Sequence, residues 1–247
     1  MKDDTRFNKW FNAFILLGMT AALIITTLIK MGNSQTGVWL LLISAFGSLM
    51  GVLSTVCSAN GQILTFLFGL LDVSIYGVMC LVSWKNGSSG LGNAILHFLY
   101  FVPMQFVGYY QWTHRGADGA TKVEARRLTL SQRWLVTGVF ILGTLIAYVL
   151  LLRFDRSSAE GFLRWAVVLD VLPLICNVLG QYLMSTAYME QWILWICVNI
   201  FSIAMWSSNY SGSGDSYALI YIIKYTFYLL NSLNGLRIWL AMSRPKS

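Results

Sequence analysis

Long apolar runs alternate with short polar breaks along the whole chain. Each run holds about 20 residues, the length a helix needs to cross the ~30 Å hydrocarbon core of a bilayer at about 1.5 Å per residue. The runs cover residues 10–30, 37–57, 61–84, 90–113, 133–152, 163–186, 189–209 and 216–240. This pattern predicts an all-α polytopic membrane protein with eight transmembrane helices.

The breaks between the runs are mostly short and rich in Gly, Ser and Asn, as at residues 86–90 and 211–214. Turns this short join antiparallel neighbours. The stretch 114–133 is the exception, because it is longer and strongly polar. Apolar residues make up 57% of the 247 residues and charged residues 11%, against about 25% charged residues in a soluble domain. The composition excludes a soluble enzyme, a disordered chain and a disulfide-stapled secreted domain.

Charge sets the predicted orientation. Eight crossings put both termini on one side of the membrane, and most of the 17 Lys and Arg residues fall on that side, in the two terminal segments and in the 114–133 stretch. The positive-inside rule therefore predicts that both termini and this loop are cytoplasmic. A nucleic-acid partner is not expected, since acidic residues interrupt the loop and membrane spans flank it.

The chain repeats itself weakly at an offset of 127 residues. Gly108 then aligns with Gly235, and Trp112 with Trp239. The repeat predicts two parallel three-helix bundles in a 3+1+3 arrangement, and such parallel repeats occur in small transporters whose substrate binds between the bundles. The predicted parts are 1–32 as an extra N-terminal transmembrane helix, 36–114 as the first bundle, 115–132 as a cytoplasmic basic loop, 133–153 as a linker helix and 162–241 as the second bundle.

Polar and aromatic side chains inside the spans mark the candidate binding site, because such groups avoid hydrocarbon and face protein or water. Helical spacing groups them into stripes on four helices. Aromatic faces alternating with amides suit a planar, hydroxylated ligand. The candidate residues are Tyr100, Phe101 and Gln105, then Gln181, then Trp192, Trp195 and Asn199, and finally Tyr221, Lys224 and Asn231.

Packing is the competing interpretation of these residues. Trp192 lies near a helix end, where tryptophan often sits at the membrane interface, and Trp112 and Trp239 are expected in such a belt. Asn and Gln inside spans also link helices by hydrogen bonds. Asp170 and Lys224 are candidates for a structural ion pair, and His97 for either a proton relay or a packed, hydrogen-bonded side chain.

Motifs of soluble catalysis are missing from the sequence. It contains no GxxxxGK[ST] phosphate loop and no HExxH motif, and its four cysteines have no CxxC spacing. We therefore expect no enzyme activity, no cofactor and no metal site.

Residues 188–199, YMEQWILWICVN, resemble the ExWxxWxxxN segment of the PnuC family of vitamin-precursor transporters. Residues 68–72, 100–112 and 234–239 support the resemblance, which extends over about 36–243. The chain departs from the family pattern at Asp72, where Asn is expected, and at Tyr109, where Trp is expected.

The resemblance implies a fold similar to SWEET sugar transporters and nicotinamide riboside as substrate, for NAD biosynthesis. It implies facilitated diffusion across a bacterial inner membrane, with trapping by a cytosolic riboside kinase that need not touch the transporter. It carries a substrate-binding role to Gln105, Trp192, Trp195 and Asn199, and a less specific one to Gln181 and Asn231. Tyr100, Phe101, Tyr221 and Lys224 rest on spacing alone.

Other functions stay open on the sequence. The substrate could be another vitamin, such as thiamine or riboflavin. The chain could also be a membrane receptor that binds a nucleoside without moving it, or an intramembrane enzyme. A homo-oligomer is compatible with every one of these alternatives.

Overall fold

The computed structural model describes residues 2–33, 38–85, 91–118, 121–153, 164–213 and 216–244, and these residues are almost entirely helical. The helices are α1 (Lys2–Asn33), α2 (Val38–Ala59), α3 (Leu64–Lys85), α4 (Leu91–Leu96), a π-helix (His97–Phe101), α5 (Val102–Thr113), α6 (Leu130–Leu152), α7 (Trp165–Ser185), α8 (Gln191–Ser213) and α9 (Ser216–Met242). Counting 91–113 as one continuous segment, the described part of the chain has eight long helices. The predicted all-α polytopic architecture is confirmed.

Six helices in the described part of the chain are long and apolar enough to cross a membrane. They are Arg6–Ile29, Val38–Ala59, Leu64–Val82, Leu130–Leu152, Val167–Ser185 and Gln191–Ser208. The segment 91–113 and α9 fall outside this set. The π-helix divides 91–113 into shorter helices, whereas in α9 the predicted polar residues Lys224 and Asn231 lower the mean hydropathy.

The helix predicted over 90–113 is not regular. Its middle turn is a π-helix, in which the N–H of Val102 donates to the carbonyl of His97 five residues earlier. Pro103 follows at the start of α5 and has no N–H to donate. The wider π turn before Pro103 accommodates the backbone hydrogen bond that the proline cannot make. π turns of this kind are frequent at functional sites.

Several helix ends differ from the predicted runs; for example, α1 begins at Lys2 and not at 10, and α3 begins at Leu64 and not at 61. α6 begins at Leu130 and not at 133, because Thr129 and Gln132 form a capping box, in which each side chain bonds the other residue's backbone N–H. α8 continues to Ser213, through most of the break predicted at 211–214. The break predicted at 86–90 and the predicted start of the second bundle at 162 lie outside the described residues.

The chain divides into two compact units. The first contains the described residues up to Glu124 together with Ser185–Ala187, so it holds α1–α5. α2 ends in a turn in which Gly61 adopts φ +69° and Gln62 N donates to Cys57 O at 2.9 Å. α2 and α3 then run side by side, linked where Ser54 Oγ donates to Thr65 O at 2.8 Å and Thr65 Oγ1 donates to Ser54 O at 3.0 Å.

The second unit contains Ala125–Met184 and the described residues from Tyr188 onward, so it holds α6, most of α7, α8 and α9. The turn after α7 repeats the geometry seen after α2: Ala187 adopts φ +61°, and Tyr188 N donates to Leu183 O at 2.8 Å. This is a Schellman cap, which usually places Gly at the left-handed position. Here an alanine that is 0% exposed occupies it.

Trp112 and Trp239 are not interfacial belt residues. Both side chains are 0% exposed. In the first unit, the Trp112 ring packs edge-on against Phe66 at 4.9 Å between centroids. In the second unit, Trp239 lies 6.3 Å from Trp192. Each indole is core packing within its own unit, so the belt expectation is wrong for both.

Candidate functional site

The clearest part of the candidate site lies where α8 faces α9 in the second unit. Trp192 is 1% exposed and rests on Gly235. A Cβ built on Gly235 would lie 2.6–2.7 Å from the six-membered ring of Trp192, so only glycine leaves room for the indole there. Burial also rules out the interfacial interpretation of Trp192.

One turn further along α8, Trp195 packs on another glycine. Gly180 of α7 would place a Cβ 3.3 Å from the Trp195 ring, which is close contact without a severe clash. Trp195 is only half-buried. The two indoles of the ExWxxWxxxN segment therefore differ in this structure: Trp192 is part of the packed core, and Trp195 keeps exposed surface.

Asn199 completes the stripe on α8. Its Nδ2 donates to Ser232 Oγ of α9 at 3.0 Å, and both residues are at most 5% exposed. Asn231 and Gln181, on α9 and α7, are 0% and 6% exposed. The structure thus buries three predicted amides in the second unit, and most buried polar side chains in proteins are hydrogen-bonded.

Tyr221 and Lys224 lie nearer the start of α9 than Asn231. The Tyr221 ring stacks on Trp206 of α8 at 4.1 Å with an interplanar angle of 11°. The Lys224 ammonium sits 5.6 Å from the centre of the Tyr228 ring, which is within the range of a cation–π contact. One face of Tyr221 is therefore already occupied by a protein ring.

The first unit holds the other three candidates on the π-helix and α5. Gln105 is 3% exposed, and its Nε2 donates to Phe101 O at 3.3 Å. A Cβ on Gly69 of α3 would lie 2.6 Å from Gln105 Oε1, so this glycine admits the amide. Phe101 is 9% exposed, and its ring lies 5.2 Å from that of the half-buried Tyr100.

Several buried polar atoms at these positions have no hydrogen-bond partner within the described part of the chain. They are Gln105 Oε1, Trp192 Nε1 and both side-chain polar atoms of Gln191. An unsatisfied buried donor or acceptor destabilises a fold by about 1–3 kcal/mol. Two of the three residues were predicted to bind the substrate, and a bound ligand or water would satisfy such atoms.

His97 favours the packing interpretation over a relay. Its Nδ1 lies 2.8 Å from the carbonyl of Asn93, and its ring contacts Tyr76 and Phe101 with centroids 4.6 and 4.9 Å apart. The imidazole is thus held by its own helix and by two rings.

Sequence reasoning missed the partners that hold the predicted residues. Ser232 and Gly180 lie in no motif, whereas Gly69 and Gly235 lie in segments 68–72 and 234–239 of the resemblance without a role being predicted for them. Trp206 of α8 was not predicted because it stacks on Tyr221 of a different helix, α9, and the sequence does not show which side chains of two helices meet. A search for small residues facing the predicted aromatic and amide stripes would have found the three glycines.

Several known proteins are similar to this chain. Residues 41–241 match the family described as nicotinamide mononucleotide transporter. The nicotinamide riboside transporter PnuC of Neisseria mucosa is 32% identical over 209 residues, 83% of this chain and 74% of the relative. That of Haemophilus influenzae is 34% identical over 203 residues, 81% of this chain and 79% of the relative. A crystal structure of the vitamin B3 transporter PnuC matches with a TM-score of 0.65 and 30% identity, covering 96% of this chain and 93% of that chain.

Proposed function

Because the chain belongs to the nicotinamide mononucleotide transporter family, we propose that it carries nicotinamide riboside across a membrane. The membership confirms the PnuC resemblance seen in residues 188–199. The family is one of multi-pass membrane transporters and is not an enzyme family. The riboside is the substrate printed in the names of the relatives at 32% and 34% identity.

The family description names the mononucleotide, whereas the relatives are named for the riboside, and the small number of basic residues on α7, α8 and α9 favours the riboside. A phosphomonoester carries about −1.5 to −2 charges at neutral pH. Lys224 and Arg237 are the basic residues on α7, α8 and α9, and the Arg237 guanidinium is bonded to Asn234 Oδ1 at 3.1–3.2 Å. Burying a phosphate beside a single lysine is unfavourable, whereas an uncharged ribose needs only amides and hydroxyls.

The observation that carries the proposal is the stripe of Trp192, Trp195 and Asn199 on α8, in which Trp192 and Asn199 are buried and Trp195 is half-buried. We assign Trp195 to stacking on the pyridinium ring, because it keeps exposed surface and an indole face attracts a cation. Asn199 serves the ribose or the carboxamide, since an amide both donates and accepts. Trp192 forms the floor under this position. Its indole Nε1 offers a further donor.

The remaining predicted residues have graded roles in the proposal. Gln181 and Asn231 are further amide contacts in the second unit. Gln105 offers the acceptor Oε1 in the first unit, where Phe101 and Tyr100 line the same helix. Tyr221 contributes its hydroxyl or edge, because Trp206 covers one ring face. Lys224 is placed beside the ring of Tyr228, near the same end of α9.

We further propose how transport proceeds. The riboside diffuses down its gradient through a site that opens to one side at a time, and a cytosolic kinase traps it by phosphorylation without having to touch the transporter. We also propose that both termini are cytoplasmic, which the distribution of Lys and Arg supports, and that the protein lies in a bacterial inner membrane, which its bacterial relatives support.

The test is calorimetry on the purified protein with nicotinamide riboside, its 5′-phosphate, nicotinamide and thiamine. Binding of the riboside and not of the phosphate is the expected result. Binding of the phosphate alone would favour the family description, and binding of thiamine alone would keep the transporter and replace the substrate. Counterflow of labelled riboside in proteoliposomes separates a transporter from a receptor, because a receptor binds without exchange.

A further inference from the structure

Residues 126–133, which lead into α6, are fastened to the turn before α8. Met189 N donates to Arg126 O at 2.9 Å, and the Arg126 guanidinium lies 4.0 Å above the Tyr188 ring. Gln132 Nε2 donates to Tyr188 Oη at 3.3 Å. All of these residues belong to the second unit. The two segments, about 60 residues apart in sequence, thus form one structural element, which we call the α8 clasp.

Glu190 is the charged centre of the α8 clasp. Its carboxylate accepts the Leu128 N–H on both oxygens, at 3.1 and 3.2 Å, and pairs with Arg133 Nη2 at 3.2 Å. The Glu190 side chain is 10% exposed. A buried carboxylate is stable only when its oxygens are paired and hydrogen-bonded, so these partners fix where Glu190 lies.

The first turn of α8 is built on the same residues. Gln191 N donates to Tyr188 O, Trp192 N to Met189 O and Ile193 N to Glu190 O, at 3.1–3.3 Å. Trp192 follows Glu190 by two residues, and its ring has no freedom to adjust because it rests on Gly235. A shift of the Glu190 backbone therefore moves Trp192 and, one turn later, Trp195.

We propose that Glu190 is a positioning residue for substrate binding. By bonding Leu128 and Arg133, it holds the start of α8 against the segment that leads into α6. These contacts fix the position of the Trp192 and Trp195 indoles. The proposal rests on the proposed function, since it assumes that Trp192 and Trp195 serve the riboside. Glu190 itself does not touch the substrate.

The experiment compares Glu190→Gln with Glu124→Gln, the same chemical change at an exposed acid that precedes the clasp. Glutamine keeps the volume of Glu190 but loses the charge and one acceptor. Riboside affinity is measured by calorimetry on the monodisperse, folded fraction of each protein, and the melting temperature is measured alongside. Amide hydrogen exchange is followed at residues 126–133 and 188–195 without ligand.

Glu190→Gln is expected to raise the riboside Kd about tenfold, the effect of losing a hydrogen bond to a charged group, and to speed exchange in both segments. Arg133→Gln should act in the same direction and more weakly, because Leu128 still bonds the carboxylate. The Glu190→Gln/Arg133→Gln double variant should bind riboside no worse than Glu190→Gln alone, since both changes disrupt the same set of contacts. Glu124→Gln should leave the riboside Kd and the exchange at residues 188–195 unchanged.

The proposal is overturned if Glu190→Gln lowers the melting temperature while its folded fraction binds riboside with an unchanged Kd. Unchanged exchange at 188–195 overturns it as well. If Glu190→Gln does not fold, Arg133→Gln provides the test, because it leaves the Glu190 carboxylate bonded to the Leu128 N–H. An unchanged riboside Kd in Arg133→Gln then overturns the proposal. Failure of the unmodified protein and of Glu124→Gln to bind riboside instead rejects the proposed function itself, and the positioning role with it.

Discussion

Asn199 of α8 donates from Nδ2 to Ser232 Oγ of α9 at 3.0 Å, and the two side chains are 5% and 2% exposed. This hydrogen bond turns Asn199 Nδ2 toward the serine, so Asn199 Oδ1 points away from it. A single serine hydroxyl therefore orients the amide that the sequence segment 188–199 ends on.

Ser232→Ala should weaken riboside binding about fivefold, the effect of losing a neutral hydrogen bond of about 1 kcal/mol. Asn199→Ala should weaken binding more, because it removes the amide itself. Calorimetry measures both. Thr226→Ala is the control on the same helix, since the exposed Thr226 hydroxyl donates to the backbone carbonyl of Ile222, one turn earlier in α9. Equal losses in Ser232→Ala and Thr226→Ala would contradict the orienting role.

Gly69→Ala should displace Gln105, since a Cβ there would lie 2.6 Å from Gln105 Oε1. Alanine also favours a helix interior over glycine by about 1 kcal/mol. We therefore expect reduced riboside affinity with little loss of thermal stability. Gly138→Ala is the matched control, because that helical glycine has open space around its Cβ position. A Gly69→Ala protein with normal affinity would remove Gln105 from the list of contacts.

Trp195→Ala should raise the riboside Kd at least about tenfold, because stacking adds about 0.5–1.5 kcal/mol to the apolar area that an aromatic ring buries. Its effect on folding should be smaller than that of Trp192→Ala, since Trp195 is only half-buried. Trp134→Ala on α6, where the ring is 70% exposed, is the control. Parallel losses of binding and melting temperature in Trp195→Ala would support packing over substrate contact.

Tyr221→Phe and Tyr221→Ala separate the hydroxyl from the ring. Phenylalanine keeps the stack on Trp206 seen at 4.1 Å, whereas alanine abolishes it. If the ring is mainly a packing partner, Tyr221→Phe should retain riboside transport and Tyr221→Ala should lower the melting temperature. A strong transport defect in Tyr221→Phe, at normal stability, would assign the hydroxyl to the substrate.

Gly235→Ala should destabilise the protein by about 1–3 kcal/mol, the usual effect of overpacking a full core. The added Cβ meets aromatic carbons of Trp192 at 2.6–2.7 Å, and an indole that is 1% exposed has no room to turn away. Thermal unfolding in detergent measures the change. Gly180→Ala should have a milder effect, because its nearest Trp195 atom is 3.3 Å away; the reverse order would contradict the packing described.

The sequence predicted the helices well because membrane-spanning length is a local property. Runs of apolar residues and a short Gly- or Ser-rich break are read within about 20 residues, and all eight long helices follow them. The differences at the start of α6 and within 91–113 also have local causes. The Thr129–Gln132 capping box starts α6 at Leu130, and the π-helix at His97–Phe101 precedes Pro103, which has no N–H to donate.

The sequence by itself also determined the family, because segment 188–199 combines glutamate, two tryptophans and asparagine at fixed spacing. Only the tertiary structure decided what those side chains do in the fold. In the structure, Trp112 and Trp239 are buried in the core, and Asn199 is bonded to Ser232. Trp192 is also buried, whereas Trp195 is only half-buried. The structure also joined Glu190 to Leu128 and Arg133. The reason is physical: a helix forms from its own neighbours, whereas burial and hydrogen-bond partners depend on which helix packs against it.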